Sequence, residues 1–194
     1  MAARIIIRHK PPLQMYKTNQ MPYKAQMKTR YWKIPCNLFI LKYMSEIRFY
    51  HLQSQPMERV LPVILEKALE RGHRIIVQCA DDKKLDEIDK LLWTYKADSF
   101  LPHGTAKDGN EAQQPVFLTT EQINANSADV LFLTGGSTND NLGDYALCCD
   151  LFDGNDQQAL SAARERWKNS VDKGLKATYW QQSDTGKWDK KAES

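Results

Sequence analysis

Cys79 is followed closely by Asp81 and Asp82, His103 sits in "FLPHG", and Arg164, Trp167 and Lys168 share the basic stretch "ARERWKNSVDKG" (163–174). These are the side chains of this 194-residue chain whose types and spacing invite chemistry. A nucleophilic cysteine needs a base within hydrogen-bond reach and an electropositive setting that favours the thiolate. Two neighbouring aspartates work the other way, so Cys79 reads as a buried structural thiol. His103 has no Ser or Cys partner beside it in sequence and reads as a loop histidine. The other cysteines, Cys36, Cys148 and Cys149, form no CxxC pair, and histidines are scarce (His9, His51, His73 and His103). Neither a zinc site nor a disulfide framework is expected. Adjacent Cys148 and Cys149 on a strand would point to opposite faces, and a reducing, cytoplasmic setting is expected.

Phosphate chemistry fares no better. There is no GxGxxG and no GxxxxGK[ST], and the first strand-like run leads into "QSQPM", which has no glycine to cradle a phosphate. "TGGSTND" (134–140) could form an anion nest after a strand, but a flexible turn accounts for it. The acidic run at 82–90 reads as a solvated helix face. Catalysis is therefore not expected, nor is any cofactor or metal, and the chain is expected to work through its surfaces.

Two surfaces stand out. In "LLWTYKADSFLPHG" (91–104), Trp93, Tyr95 and Phe100 cluster at a helix end and in the loop after it. Trp93 is one step off the apolar helix face, so it either folds back on the core or serves as an exposed aromatic anchor. In the second surface Arg164, Trp167, Lys168 and Val171 fall at i, i+3, i+4 and i+7, which puts them on one helix face. Two cations beside an aromatic and an aliphatic floor suit a carboxylate-ended peptide with an apolar last residue, but they suit an ordinary solvated basic face as well.

The elements that must position these residues follow from periodicity. "EIRFYHL" (46–52) reads as a strand, and "MERVLPVILEKALERG" (57–72) as a helix with Val60, Ile64, Leu65, Ala68 and Leu69 inward. "HRIIVQCA" (73–80) is a strand covered on both faces. "DDKKLDEIDKLLWTY" (81–95) is a helix capped by Asp81 or Asp82, with Leu85, Ile88, Leu91 and Leu92 inward. After a long polar loop (96–114) come strands at 115–120, 128–136 and 145–154, a helix at 155–174 capped by Asn155 or Asp156, a strand-like run at 175–182 and a polar tail, 183–194. Alternation of strand and helix predicts an α/β fold with a central, mostly parallel sheet flanked by helices.

Charge divides the chain. Residues 1–43 hold nine basic and no acidic residues, whereas residues 44–194 hold 18 basic and 24 acidic ones, a net −6. The first part has no Gly or Ser and no clean signal-peptide pattern. Met44 is expected to be the natural initiator, and residues 1–43 a disordered extension translated from upstream sequence. The alternatives are a basic nucleic-acid arm or a targeting segment. "CNLFILKYM" (36–44) is too short to span a bilayer. An acidic domain repels phosphate at long range, so direct DNA binding is not expected.

From Met44 onward the chain resembles the chi subunit of the bacterial DNA polymerase III holoenzyme, a clamp-loader accessory protein. The likeness runs from "EIRFYHL" through "RIIVQCADD", "LDEIDKLLW" and "ADSFLPHG" to "ARERWK" and "ATYW". It implies a Rossmann-like, three-layer α/β domain over 44–182 without catalytic activity. It implies that the domain bridges the psi subunit to the acidic C-terminal tail of single-stranded DNA-binding protein, a tail ending in a phenylalanine with a free carboxylate. On that resemblance Trp93 and Phe100 are the contacts to psi or to an alternative helicase-like partner. Arg164 and Lys168 are the tail-binding cations, Trp167 is an aromatic platform, and Phe152 lies near an apolar pocket wall. The loop at 105–127 departs from the family in length and sequence, and nothing is carried over from it. The competing reading is a small nucleotide-binding α/β enzyme with a degenerate site.

Overall fold

The computed structural model describes residues 45–194; the expectation for residues 1–43 lies outside them. The chain runs β1 (Glu46–Leu52), α1 (Met57–Glu70), β2 (Ile75–Gln78), α2 (Asp82–Thr94), β3 (His103–Thr105), β4 (Val116–Thr119), β5 (Val130–Leu133), β6 (Leu147–Asp153), α3 (Gln157–Asp172), β7 (Lys176–Gln182) and β8 (Trp188–Glu193). The eight strands make one sheet in the order β3-β4-β2-β5-β6-β1-β7-β8. All neighbours are parallel except the β7–β8 pair.

The residues explain the layers. In β2, β4 and β5 every position is buried, as befits short β-branched and aromatic strands in the middle of a parallel sheet. Alternation divides the core in two. Leu61 and Leu65 of α1 and Leu85, Ile88 and Leu92 of α2 pack with Ile75, Val77, Cys149 and Leu151 on one face. Ala163 and Trp167 of α3 pack with Ile47, Phe49, Ile76, Cys148 and Ala177 on the other. Cys148 and Cys149 thus lie on opposite faces, as strand geometry requires. The result is a three-layer α/β fold, mostly parallel, as read from the alternation of elements.

The helix starts follow side-chain chemistry. Asp81 accepts from the Lys84 amide at 2.7 Å, and Asp156 accepts from the amides of Gln158 (2.8 Å) and Ala159 (3.4 Å). Each satisfies donors that the first turn leaves bare.

Two strands go beyond the sequence reading. The 96–114 stretch, expected as loop throughout, contains β3, so His103 is a buried strand residue and not a loop histidine. Three residues beside Pro102 and including Gly104 carry no readable period. The polar stretch 183–194, expected only as a tail, turns at Gly186 (φ +77°) and returns as β8 along the sheet edge. Its exposed Lys190 and Lys191 are the charges that keep an edge strand from pairing with other chains.

Candidate functional site

Arg164, Trp167 and Lys168 come together on the outer side of α3, with the two cations exposed and the indole half-buried. Trp167 packs on Phe49 (ring centroids 5.4 Å) and edge-on to Tyr179 (6.2 Å, 78°). Among the described residues neither Arg164 nor Lys168 is in an ion pair, so both charges are available to a ligand. Arg166, two residues away in the same stretch, is spent elsewhere. Its Nε and Nη2 donate to the two oxygens of Asp150 at 2.6 and 3.1 Å. The helical period separates the two roles: 164 and 168 look outward, whereas 166 and 167 turn toward the sheet, Trp167 at the edge between them.

Beneath Arg164 lies an aromatic layer that sequence reasoning reached only in part. Phe152 is buried at 4% exposure and stacks on His51 (5.4 Å, 23°), so it backs the site without reaching its surface. The Tyr179 hydroxyl and His51 Nδ1 are 2.7 Å apart. Burial pushes the His51 imidazole below its ordinary range, and the charge of Arg164 adds to that, which favours the neutral ring beside the tyrosine. His51 and Tyr179 were not singled out from the sequence. The signal was the alternation in "EIRFYHL", which sends Ile47, Phe49 and His51 to the α3 face.

Gly154 makes room for that ring. A Cβ there would run into His51 Nε2 and come within 2.8 Å of the Leu52 carbonyl oxygen. Gly154→Ala is expected to cost about 1–3 kcal/mol by overpacking and to displace His51 from Phe152 and Tyr179. Thermal unfolding with a tail-peptide titration checks this; unchanged values in both would mean that the imidazole moves aside freely.

The second surface is real as an exposed feature. Trp93 is 58% and Phe100 69% exposed, with ring centroids 5.9 Å apart. Of the two readings of Trp93, folding back onto the core is excluded by its exposure. The indole rests on the buried His103 ring at 4.9 Å and does not fold into the core.

The places considered for catalysis behave as structural groups. Cys79 is buried and its thiol is pushed up to about 11, first by burial. Cys148 is pushed up to about 12 by burial, and Cys149 is driven upward too. "TGGSTND" is a turn at Gly135 and Gly136 whose flanks are tied to Gln78. The Gln78 carbonyl accepts from the Thr134 amide and hydroxyl and from Ser137 Oγ (3.0, 3.1 and 2.9 Å). The Gln78 amide group bonds to the Thr138 carbonyl and to Asn139 (2.8 Å each). The sequence showed the glycines but not this buried polar anchor.

A cleft of about 710 Å³ opens at the carboxyl ends of the strands, between the first turns of α1 and α3. Ligands of open α/β sheets bind in such places. Here Glu58, Asp153 and Asp156 line it, and its two cations are taken: Lys84 by Glu87, and Arg166 by Asp150. That arrangement does not favour a phosphate. No group of three or more metal-ligating side chains occurs among the described residues.

With the geometry in place, comparison with known proteins decides the family. The sequence model described as "DNA polymerase III chi subunit, HolC" matches residues 44–178, more than half of the chain. The chain belongs to the DNA polymerase III chi subunit family. It is similar to a probable DNA polymerase III subunit chi from Rickettsia prowazekii (strain Madrid E), 29% identical over 93 residues, 48% of this chain and 56% of the relative. It is similar to the DNA polymerase III subunit chi of Pseudomonas aeruginosa, 31% identical over 91 residues, 45% of this chain and 63% of that one. The Escherichia coli (strain K12) subunit gives 31% over 91 residues, with coverages of 43% and 62%. The chain thus spans less than two thirds of the length of these chi subunits. The chi family match contains Trp93, Phe100, Phe152, Arg164, Trp167 and Lys168, whereas Tyr179 and β8 lie beyond its end. Among the described residues no helix is long and apolar enough to cross a membrane.

Proposed function

We propose that the chain is a non-catalytic accessory subunit of the DNA polymerase III clamp loader, acting in the cytoplasm. It bridges the psi subunit, docked at Trp93 and Phe100, to the acidic C-terminal tail of single-stranded DNA-binding protein, held on α3. A helicase-like protein is the alternative occupant of the psi surface. DNA is met only through the partner whose tail is bound.

The observation that carries the tail site is the pair of uncommitted cations, Arg164 and Lys168, flanking a half-buried Trp167 on an otherwise acidic domain. Arg164 takes the terminal carboxylate in a charge-assisted, bidentate contact, and the last apolar side chain packs beside the indole. A short tail covers little surface, so an affinity near micromolar, about −8 kcal/mol, is expected. The affinity falls with added salt, because at physiological ionic strength screening sets in within about 8 Å.

Arg164→Ala is expected to weaken a tail peptide by about 2 kcal/mol, roughly 30-fold. Calorimetry with a peptide of the acidic tail ending in a free carboxylate measures it, and an unchanged affinity sinks the assignment. The same peptide amidated at its C-terminus separates recognition of the carboxylate from attraction to acidic residues in general.

A further inference from the structure

Trp93 ends α2 and Phe100 stands in the irregular stretch between α2 and β3, both largely exposed. Aromatic side chains on such a segment lower their exposure by collapsing onto the nearest apolar surface unless the backbone under them is fixed. Two clamps fix it. On one side Glu66 of α1 accepts from the Tyr95 hydroxyl at 3.1 Å and from Ser99 Oγ at 3.0 Å, and these two hydroxyls lie 2.9 Å apart. The three groups form a closed triangle between α1 and the loop. Both bonds favour the ionised acid, and they hold the Glu66 carboxyl below its usual range, Ser99 first and Tyr95 second.

On the other side His103 Nδ1 donates to the Leu101 carbonyl at 2.7 Å, its Nε2 lies 3.4 Å from Asp89 Oδ1, and its ring carries Trp93. Leu101 itself is buried at 1% exposure. Phe100 therefore sits between two anchored neighbours, Ser99 and Leu101, which restrict the backbone that carries it.

We propose that Glu66 and His103 are positioning residues that pre-form the Trp93–Phe100 platform for its protein partner. The proposal rests on the reading of that platform as the psi-docking surface. Neither residue needs to touch the partner. Each acts by ordering the platform during folding, so that less ordering is left to the encounter.

The clamps can be examined without any partner. In the full chain, Glu66→Ala is expected to speed amide exchange over residues 96–101 by roughly tenfold or more through local opening. Glu66→Gln, whose amide oxygen can accept both hydroxyls, stays near wild type. Against purified psi in stopped flow, Glu66→Ala slows association roughly tenfold with a smaller change in dissociation, because the binding-competent loop is populated less often. Glu66→Gln again restores the rate. His103→Asn keeps a donor for the Leu101 carbonyl but removes the ring under Trp93, and should slow association too. Tail-peptide affinity at α3 stays unchanged in all three and guards against global misfolding.

Wild-type exchange and association in Glu66→Ala overturn the proposal, as does failure of Glu66→Gln to rescue. Trp93→Ala is the control for the underlying reading. If it binds psi normally, the docking assignment falls, while the exchange measurement still decides whether the clamps order the loop.

Discussion

Asp150→Ala is expected to lower the stability of the domain by about 3–5 kcal/mol, the range for leaving one charge of a buried ion pair without its partner. Asp150 is 1% exposed on β6, and Arg166 reaches it with 15% of its side chain accessible. Both carboxylate oxygens are occupied by one guanidinium in a fork geometry. Burial pushes the Asp150 carboxyl upward and Arg166 pulls it down, and burial prevails. The sign follows. A group whose folded pKa lies above its unfolded value favours the folded state more as pH falls, so at neutral pH the ionised carboxylate is a cost that the arginine offsets only in part.

The pair should therefore add little net stability over an apolar replacement, while removal of one partner is severe. A urea-unfolding cycle of Asp150→Leu, Arg166→Leu and the double variant tests this. The singles are expected to lose several kcal/mol and the double to regain most of it. The cavity of about 240 Å³ beside Asp150 and Arg166 offers the opposing outcome. Water entering there would hydrate the survivor, and single losses below about 1 kcal/mol would mean that it does. The pair also ties α3 to β6, and on the proposed reading it thereby sets the outward aim of Arg164 and Lys168.

What the sequence shows of this molecule depends on how local the cause is. The helix caps at Asp81 and Asp156 act within three residues and are legible. The buried run in β2 declares a two-sided strand. The outward placement of Arg164 and Lys168 follows from the helical period, whereas the packing of Trp167 onto Phe49 and Tyr179 does not. Features set by partners far along the chain are silent. The Asp150–Arg166 pair, the His51–Tyr179 bond across 128 residues and the Glu66 triangle each join segments with no shared period. β3 is invisible because a three-residue strand is defined by its neighbour β4 and not by its own pattern. β8 was hidden by its charge, which marks an edge strand as readily as a solvated tail. Phe152 illustrates the middle case: the resemblance set it near an apolar wall, but only the fold shows that it stands behind His51.

Trp93→Ala is expected to abolish co-purification with psi, a loss of about 2–4 kcal/mol as for a hot-spot tryptophan, with the tail site intact. The argument starts from exposure. An indole 58% accessible, held 5.9 Å from a phenyl ring that is 69% accessible, adds little to the isolated fold. Its removal should leave the melting temperature nearly unchanged, since substitutions away from buried features stay within about 0.5 kcal/mol. The same exposure leaves its apolar area in water until a partner covers it, which makes it a candidate anchor. α2 packs on the sheet face opposite α3, so loss of the indole has no direct route to Arg164 or Lys168. Phe100→Ala should weaken psi as well, and because the two rings touch, the double variant should lose less than the sum of the singles. Loss of psi and tail binding together would mark a misfolded variant. Unchanged psi affinity in a folded Trp93→Ala protein would place the docking surface elsewhere, and additive losses at Trp93 and Phe100 would show that the partner reads two separate contacts and not one platform.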